Sequence, residues 1–147
     1  MSVLVRPATA SDLDAVWPLV VDFATSYLPR RDAFEKSFLR ILATPTSVLL
    51  VAEVRTEGDA DAAVAGYLSA HLHDTLFANA PLVWIEEVMV AASARRTGVG
   101  RALMAEAETW ARSAGAAYCS LSTRRAPDFY AALGYETSGT FFKKPLD

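Results

Sequence analysis

The chain is 147 residues long and 52% hydrophobic, which is enough for one domain over residues 1–147 with a sizeable core. A net charge of −3 without an extended basic stripe argues against a nucleic-acid-binding surface. Cys119 is the single cysteine and no apolar run reaches the ~18 residues of a membrane span, so neither an internal disulfide nor a membrane protein is expected. We expect a cytoplasmic protein whose partners are small molecules.

The first third of the chain predicts one strand followed by two helices. Val3–Pro7 alternates as a short strand, and Ser11 followed by Asp14 is typical of a capped helix start. Apolar residues then recur at helical spacing until Ser26–Arg31 interrupts the pattern. Asp32–Ala43 resumes the pattern, so we expect a second helix there.

A hairpin of two strands is predicted next. Ser47–Val54 has the apolar pattern of a buried strand, and a polar turn leads from it into Ala63–His71. His71 and His73 lie two residues apart, which in a strand places both on one face and suggests a metal pair or a catalytic base. Because the sequence offers no third ligand, we expect two solvated histidines and no metal site.

The central part of the chain predicts an apolar strand joined to a long helix. Val83–Val90 is mostly β-branched or apolar, and it contains two adjacent acids, Glu86 and Glu87. From Val99 to a stop at Gly115, apolar residues recur at helical spacing with charged residues on the other faces. The helix therefore begins inside the turn that joins the two elements.

That turn, residues 95–101, has the composition of an anion-binding site. The first N–H groups of a helix lack intrahelical partners and favour an anion such as phosphate. Gly98 and Gly100 carry no Cβ atom that would hold a ligand away from these groups, and three arginines add positive charge. The alternative is a turn whose glycines serve backbone geometry only. Three arginines in seven residues favour the anion site.

The last third of the chain predicts a strand, a short helix and a final strand. Ala117–Thr123 has the pattern of a strand, and Ala126–Leu133 that of a helix with a proline near its first turn. Glu136–Lys144 completes the series as a last strand. Composition and element order by themselves indicate a mixed α/β domain.

The turn and its neighbours resemble the acetyl-coenzyme A signature of the GNAT N-acetyltransferase superfamily. The pattern R-x-x-G-x-G-x-A at residues 95–102 directly follows a strand that ends in Val-Met-Val at residues 88–90. Phe129–Tyr135 is similar to the superfamily's F-Y-x-x-x-G-F/Y segment, and Arg6–Thr9 to its opening. A dinucleotide-binding motif is excluded because Leu103 stands where its third glycine is needed, and a P-loop because Gly-Lys-Ser/Thr is missing.

The resemblance implies a GNAT acyltransferase fold, with a mixed central sheet of about six strands and four helices. It also implies acetyl-coenzyme A as co-substrate, bound where the central strand and the strand after it splay apart. Thr123 stands where the superfamily commonly has an asparagine, so that cofactor contact is weakened or replaced. The residues implied to hold the cofactor are Val88, Met89 and Val90 through their main chain, the turn residues Arg95, Arg96, Thr97, Gly98, Val99, Gly100 and Arg101, and Thr123.

The implied reaction is transfer of an acetyl group to an amine by direct attack in a ternary complex. Glu86 is the expected general base, since an acid at this point of the central strand often has that role in the superfamily. Glu87 points to the opposite face, so only one of the two lines the cleft. Tyr130 matches the superfamily's general acid, because a phenol of pKa ~10 can donate a proton towards a thiolate whose thiol has a pKa of ~8.5. The alternatives are structural salt bridges for the glutamates and a packed aromatic ring for Tyr130.

The expected acceptor is a cationic primary amine of a small molecule. Glu87, Tyr27 between the first two helices and Asp74 in the loop after the hairpin are the candidate acceptor contacts, because two of them are acidic and would attract an ammonium group. One alternative is a catalytically silent domain that binds or senses acyl-coenzyme A. Another is an acetyltransferase for protein N-termini or lysines. A homodimer is compatible with the resemblance.

Overall fold

A computed structural model describes residues 1–147, and its elements are one mixed sheet and four helices. The order of elements follows the sequence-based prediction as far as the fourth helix. In chain order they are β1 (Ser2–Pro7), α1 (Leu13–Phe23), α2 (Arg31–Ala43), β2 (Ser47–Arg55), β3 (Ala63–His73), β4 (Leu82–Val90), α3 (Val99–Ser113), β5 (Cys119–Leu121) and α4 (Pro127–Ala132).

The five strands lie side by side in sequence order, β1-β2-β3-β4-β5. Neighbouring strands from β1 to β4 are antiparallel, whereas β4 and β5 are parallel. The parallel pair requires a crossover, and α3 supplies it between the end of β4 and the start of β5. The predicted α/β class with four helices is therefore confirmed.

The predicted final strand, Glu136–Lys144, is absent, so the sheet has five strands where about six were expected. No backbone hydrogen bond joins the chain after Tyr135 to another part of the backbone, and residues 136–147 are nearly all exposed. A strand needs the edge of a neighbour, and β5 offers an edge of only three residues. The Phe141 ring nevertheless stacks on Trp84, with 6.5 Å between the ring centroids.

The sheet has a separate hydrophobic core on each face. On one face α3 packs against β2, β3 and β4, and its buried residues are Val99, Leu103, Met104, Ala107 and Ala111. On the other face α1 and α2 cover a smaller core that contains Val16, Leu19, Phe38, Leu49, Val51, Tyr67 and Met89. The sheet thus separates the core under α1 and α2 from the core under α3.

The entry into α1 is tied to the sheet by a buried acid. The carboxylate of Asp12 accepts hydrogen bonds from the Thr9 backbone N–H and from Arg6, both at 2.8 Å, and Arg6 also donates to Glu53 at 2.8 Å. These bonds lower the pKa of Asp12, with the Arg6 guanidinium as the main cause. The predicted cap at Ser11 is therefore replaced by a capping box of Thr9 and Asp12 on a short 3-10 turn, Ala10–Asp12, and Asp12 is in turn the N-cap residue of α1.

We expect Leu103→Ala to lower the free energy of unfolding by about 2–5 kcal/mol, because it leaves a cavity under the sheet. Leu103 is fully buried in the core formed with α3. The matched control is Leu39→Ala on α2, where the leucine is 50% exposed and the change should stay within about 0.5 kcal/mol. Urea unfolding followed by circular dichroism measures both. Equal losses would mean that the α3 layer does not form the main core.

Candidate active site

A β-bulge in β4 sets the direction of the two adjacent glutamates. Ser69 pairs with Glu87 and Ala70 pairs with Ile85, so Glu86 is the extra residue on β4. Before the bulge Ile85 faces the core of α3, and after it Met89 lies in the core of α1 and α2. Glu87 alternates in phase with Met89 and therefore turns towards α1 and α2, whereas the Glu86 side chain is exposed.

Glu87 is half-buried and has one close hydrogen-bond partner. The Tyr67 hydroxyl donates to Glu87 Oε1 at 2.7 Å. Burial raises the pKa of Glu87 above its usual range; the Tyr67 hydrogen bond opposes this rise, and the charge of Glu86 adds to it. A carboxylate with a raised pKa is suited to accept a proton near neutral pH.

Glu87 lines a cavity of about 290 Å³ between α1, α2 and the sheet, which we call the helix–sheet cavity. Nine of its fourteen lining residues are hydrophobic. Tyr67, Ser69 and Glu87 form a polar floor, where the Ser69 hydroxyl is buried and has no hydrogen-bond partner. Tyr27 lies at the rim, 74% exposed. A mostly apolar cavity with a few convergent polar groups is the usual form of a small-molecule site.

Two of the predicted acidic contacts lie outside this cavity. Glu86 and Asp74 are both exposed, and neither is part of the cavity lining. The sequence could not separate Glu86 from Glu87, because the bulge depends on how β3 pairs with β4. The roles of both residues in catalysis and acceptor binding stay predictions.

A gap opens between β4 and β5 next to the cavity floor. The parallel pairing ends at Ile85 and Leu121, while β4 continues to Val90. Ala91 donates its backbone N–H to Ala65 on the β3 side, so the peptide groups of Val88 and Val90 point to the opposite edge, into the gap. Of the three residues predicted to bind the cofactor through their main chain, these two face the gap, and Met89 faces β3.

The turn before α3 has the geometry expected of an anion site. Gly98 is the N-cap residue of α3 with φ +91°, and a Cβ atom at this position would contact nothing within 4 Å. The approach to the helix N-terminus is therefore open. Gly100 is packed differently, because its Cβ would lie 3.1 Å from the ring of Phe129.

The other residues of the turn differ in whether their side chains or only their backbone groups can reach a ligand. Arg95, Arg96 and Arg101 all have exposed side chains, and Arg95 donates from Nε to the Val90 carbonyl oxygen at 3.3 Å. Val99 is buried in the core, so it can contact a ligand only through its backbone. Thr97 donates its hydroxyl hydrogen to the Ala94 carbonyl oxygen. Exposed guanidinium groups around free N–H groups fit a diphosphate anion.

Tyr130 lies on α4, next to a residue that contacts the start of α3. Phe129 contacts the α3 N-terminus, and the Phe129 and Tyr130 rings meet edge to face, with centroids 5.0 Å apart. Tyr130 is half-buried, and burial raises the pKa of its hydroxyl. Thr123 lies in the turn that leads into α4 and accepts the Ala126 backbone N–H at 3.2 Å.

The rings of His71 and His73 lie nearly parallel and stack on each other. Their ring centroids are 6.4 Å apart, and Nδ1 of His71 lies 2.8 Å from the Ser47 hydroxyl. No group of three or more His, Cys, Asp or Glu side chains is arranged to hold a metal ion.

None of the helices has the length and apolar character of a membrane-spanning segment.

Residues 13–135 match the Acetyltransferase (GNAT) family. The match runs from α1 to the end of the F-Y-x-x-x-G-Y segment and so includes the bulge, the turn and Tyr130. The chain belongs to the GNAT acetyltransferase family. The resemblance inferred from the sequence is thus confirmed, as is the prediction of an acetyl-coenzyme A-dependent acyltransferase.

Several known proteins are similar to this chain over nearly its whole length. It is 32% identical over 145 residues to an aminoalkylphosphonate N-acetyltransferase of Salmonella typhimurium, with 96% of this chain and 90% of the relative covered. A crystal structure of a transcriptional regulator from Bacillus halodurans superposes with a TM-score of 0.85 at 24% identity, covering 99% of this chain and 100% of that one. Glucosamine-6-phosphate N-acetyltransferase from Arabidopsis thaliana superposes with a TM-score of 0.83 at 19% identity, covering 100% of both chains.

We expect Gly98→Val to weaken binding of coenzyme A by at least about tenfold, because the side chain would fill the open approach to the α3 N-terminus. Gly115→Val is the matched control, since Gly115 also has a positive φ, +76°, with no neighbour within 4 Å, but lies at the other end of α3. Both variants carry similar backbone strain. Titration calorimetry with coenzyme A separates them. Equal affinities in the two folded variants would contradict the anion site at Gly98.

Proposed function

We propose that this GNAT protein is an N-acetyltransferase that moves an acetyl group from acetyl-coenzyme A to a cationic primary amine of a small molecule. The observation that carries the proposal is the position of Glu87. Its half-buried carboxylate, with a raised pKa, lines the helix–sheet cavity one residue from the gap between β4 and β5. An amine in that cavity would thus have a proton acceptor next to the site where the cofactor arm enters.

Glu87 is our candidate general base, in place of Glu86. An ammonium group must lose a proton before its nitrogen can attack, and a carboxylate with a raised pKa accepts one efficiently near neutral pH. Glu87 is favoured because it lines the cavity and is held by Tyr67 at 2.7 Å, whereas Glu86 is exposed to water. In this scheme Glu86 acts on Glu87 through its charge.

The remaining groups would bind the cofactor and stabilise the negative charge that develops on its acetyl oxygen and sulfur. Acetyl-coenzyme A supplies the acetyl group as a thioester, whose carbon–sulfur bond breaks as the nitrogen–carbon bond forms. The N–H groups of Val88 and Val90 are candidates to stabilise negative charge on the acetyl oxygen. The Tyr130 hydroxyl is our candidate donor of a proton to the departing sulfur. The α3 turn would hold the diphosphate.

The cavity supports a small-molecule acceptor over the alternatives. It lies between two helices and the sheet, and its volume of about 290 Å³ suits a compact ligand more than a protein chain. The relative from Salmonella typhimurium is named for acetylation of a small amine. A silent sensing domain would have no need for a half-buried carboxylate with a raised pKa beside the cofactor gap.

We expect Glu87→Gln to lower kcat/KM for the amine by about 10²- to 10⁴-fold, because the amide keeps the shape and cannot accept the proton. Glu86→Gln is the matched control, one residue away and exposed, and should retain most of the activity. Steady-state kinetics with detection of released thiol measures both. A large loss in Glu86→Gln alone would restore Glu86 as the base.

The pH profile of kcat/KM tests the same assignment by the direction of two shifts. A general base works when deprotonated, so the rate rises with pH through the pKa of Glu87. Glu86→Gln removes a charge that raises this pKa, and the rising limb should move to lower pH. Tyr67→Phe removes a hydrogen bond that lowers the pKa, so the limb should move to higher pH. If the rising limb keeps its pH position in Tyr67→Phe, Glu87 is not the general base.

We expect Tyr130→Phe to lower kcat more than the affinity for coenzyme A, because the hydroxyl acts only as charge develops on sulfur. Tyr135→Phe is the control: its hydroxyl is also half-buried, and donates to Glu108 at 2.9 Å, away from the turn. That variant should lose some stability and keep its turnover. If Tyr130→Phe turns over like the parent protein, Tyr130 is a packing residue.

A further inference from the structure

We infer that the acceptor is a primary amine with one positive charge and an apolar body, such as an arylalkyl or branched alkyl amine. This inference rests on the proposed function and names the substrate class for the same site. It follows from how the helix–sheet cavity divides into a polar floor and apolar walls.

The walls offer an apolar body a fixed surface. They come from α1 and α2, with Val16 and Val20 on one side and Phe34 and Ile41 on the other. The Phe34 ring is held between two others, with centroid distances of 5.0 Å to Trp17 and 5.7 Å to Phe38. An apolar ligand group would gain contact and lose no hydrogen bonds to water there, whereas a charged group would lose its hydration.

The charges around the cavity match a single ammonium group. Glu87 is the one carboxylate in the lining, because Glu86 and Asp74 lie outside it. Arg30 is the one cation in the lining, and its side chain is 75% exposed at the rim. Nearby, the Arg31 guanidinium stacks on Phe34 and already pairs with two carboxylates. The exposed Arg125 acts on Tyr67 through its charge. A second ammonium group would have no carboxylate to pair with. A phosphonate would meet only arginines whose side chains are exposed or partly exposed, and exposed charge pairs contribute little.

The floor supplies three oxygen atoms for the three N–H donors of a primary ammonium group. Tyr67 and Ser69 lie two residues apart on β3 and so share a face, and Ser69 is paired with Glu87 on β4. The Ser69 hydroxyl is the decisive one, since it is buried and lacks any partner within the chain. Buried polar groups are rarely left unpaired. The unpaired Ser69 hydroxyl in the cavity floor therefore indicates a bound ligand whose N–H donates a hydrogen bond to it.

The first experiment compares three primary amines as acceptors: 2-phenylethylamine, 1,4-diaminobutane and 2-aminoethylphosphonate. We expect kcat/KM for 2-phenylethylamine to exceed that for each of the other two by at least about tenfold. A preference for the diamine or for the phosphonate would overturn the inference and leave the proposed N-acetyltransferase intact. Acetylation of no amine by protein that binds acetyl-coenzyme A would overturn both.

The second experiment changes the charge of the wall. Ala33 lines the cavity in the first turn of α2, where an acid is compatible with the helix. Ala33→Asp should shift the preference towards 1,4-diaminobutane by at least about tenfold, because it gives the second ammonium group a partner. Ala33→Asn has nearly the same size without the charge and should keep the preference for 2-phenylethylamine. Unchanged selectivity in Ala33→Asp would place the acceptor elsewhere.

The third experiment tests the floor by binding as well as by rate. Ser69→Ala should raise the KM for 2-phenylethylamine by about three- to tenfold with a smaller change in kcat, and calorimetry in the presence of coenzyme A should show the same loss of amine affinity. Ser120→Ala, a half-buried strand serine on β5 outside the cavity, is the control. Unaltered affinity in Ser69→Ala would remove the hydroxyl from the acceptor site.

Discussion

The β-bulge at Glu86 is the constraint on which the rest of the site depends. One extra residue on β4 reverses the side-chain phase of the strand, so that Glu87 turns to the helix–sheet cavity while Val88 and Val90 turn their peptide groups to the gap beside β5. Without the bulge, Glu87 would point into the core of α3, where an unpaired carboxylate is costly. The bulge therefore brings a candidate base and the main-chain donors together at one point of the sheet.

In the proposed function the two substrates use different parts of the sheet, the cofactor an edge and the acceptor a face. The proposed cofactor side is built from neighbouring residues: the end of β4, the turn at Gly98 and the N-terminus of α3. The proposed acceptor side is assembled from parts far apart in the chain, with walls from α1 and α2 and a floor from β3 and β4. Glu87 lies where the two sides meet. This arrangement permits the acceptor to change, by substitutions on α1 and α2, while the cofactor site stays as it is.

The polar floor of the helix–sheet cavity lowers the free energy of unfolding of the protein. Burial of Glu87 raises its pKa, and Ser69 has a buried hydroxyl without a partner. Both features oppose folding, since a half-buried carboxylate and an unpaired hydroxyl lose their hydration. The hydrogen bond from Tyr67 offsets part of this cost. Groups that are destabilising in the free protein and satisfied by a ligand are typical of binding and catalytic sites.

The sequence by itself determined the elements whose signals are local. The strand at Val83–Val90, the turn with Gly98 and the periodicity of α3 are set by neighbouring residues, and they were sufficient to identify the GNAT family. The tertiary structure decided what depends on pairing between distant residues. The register of Ser69 against Glu87 chose which glutamate lines the cavity, and Tyr67 and Ser69 joined the site through that register. The short edge of β5 likewise left Glu136–Lys144 without a strand partner, because a strand forms only where another chain segment accepts its hydrogen bonds.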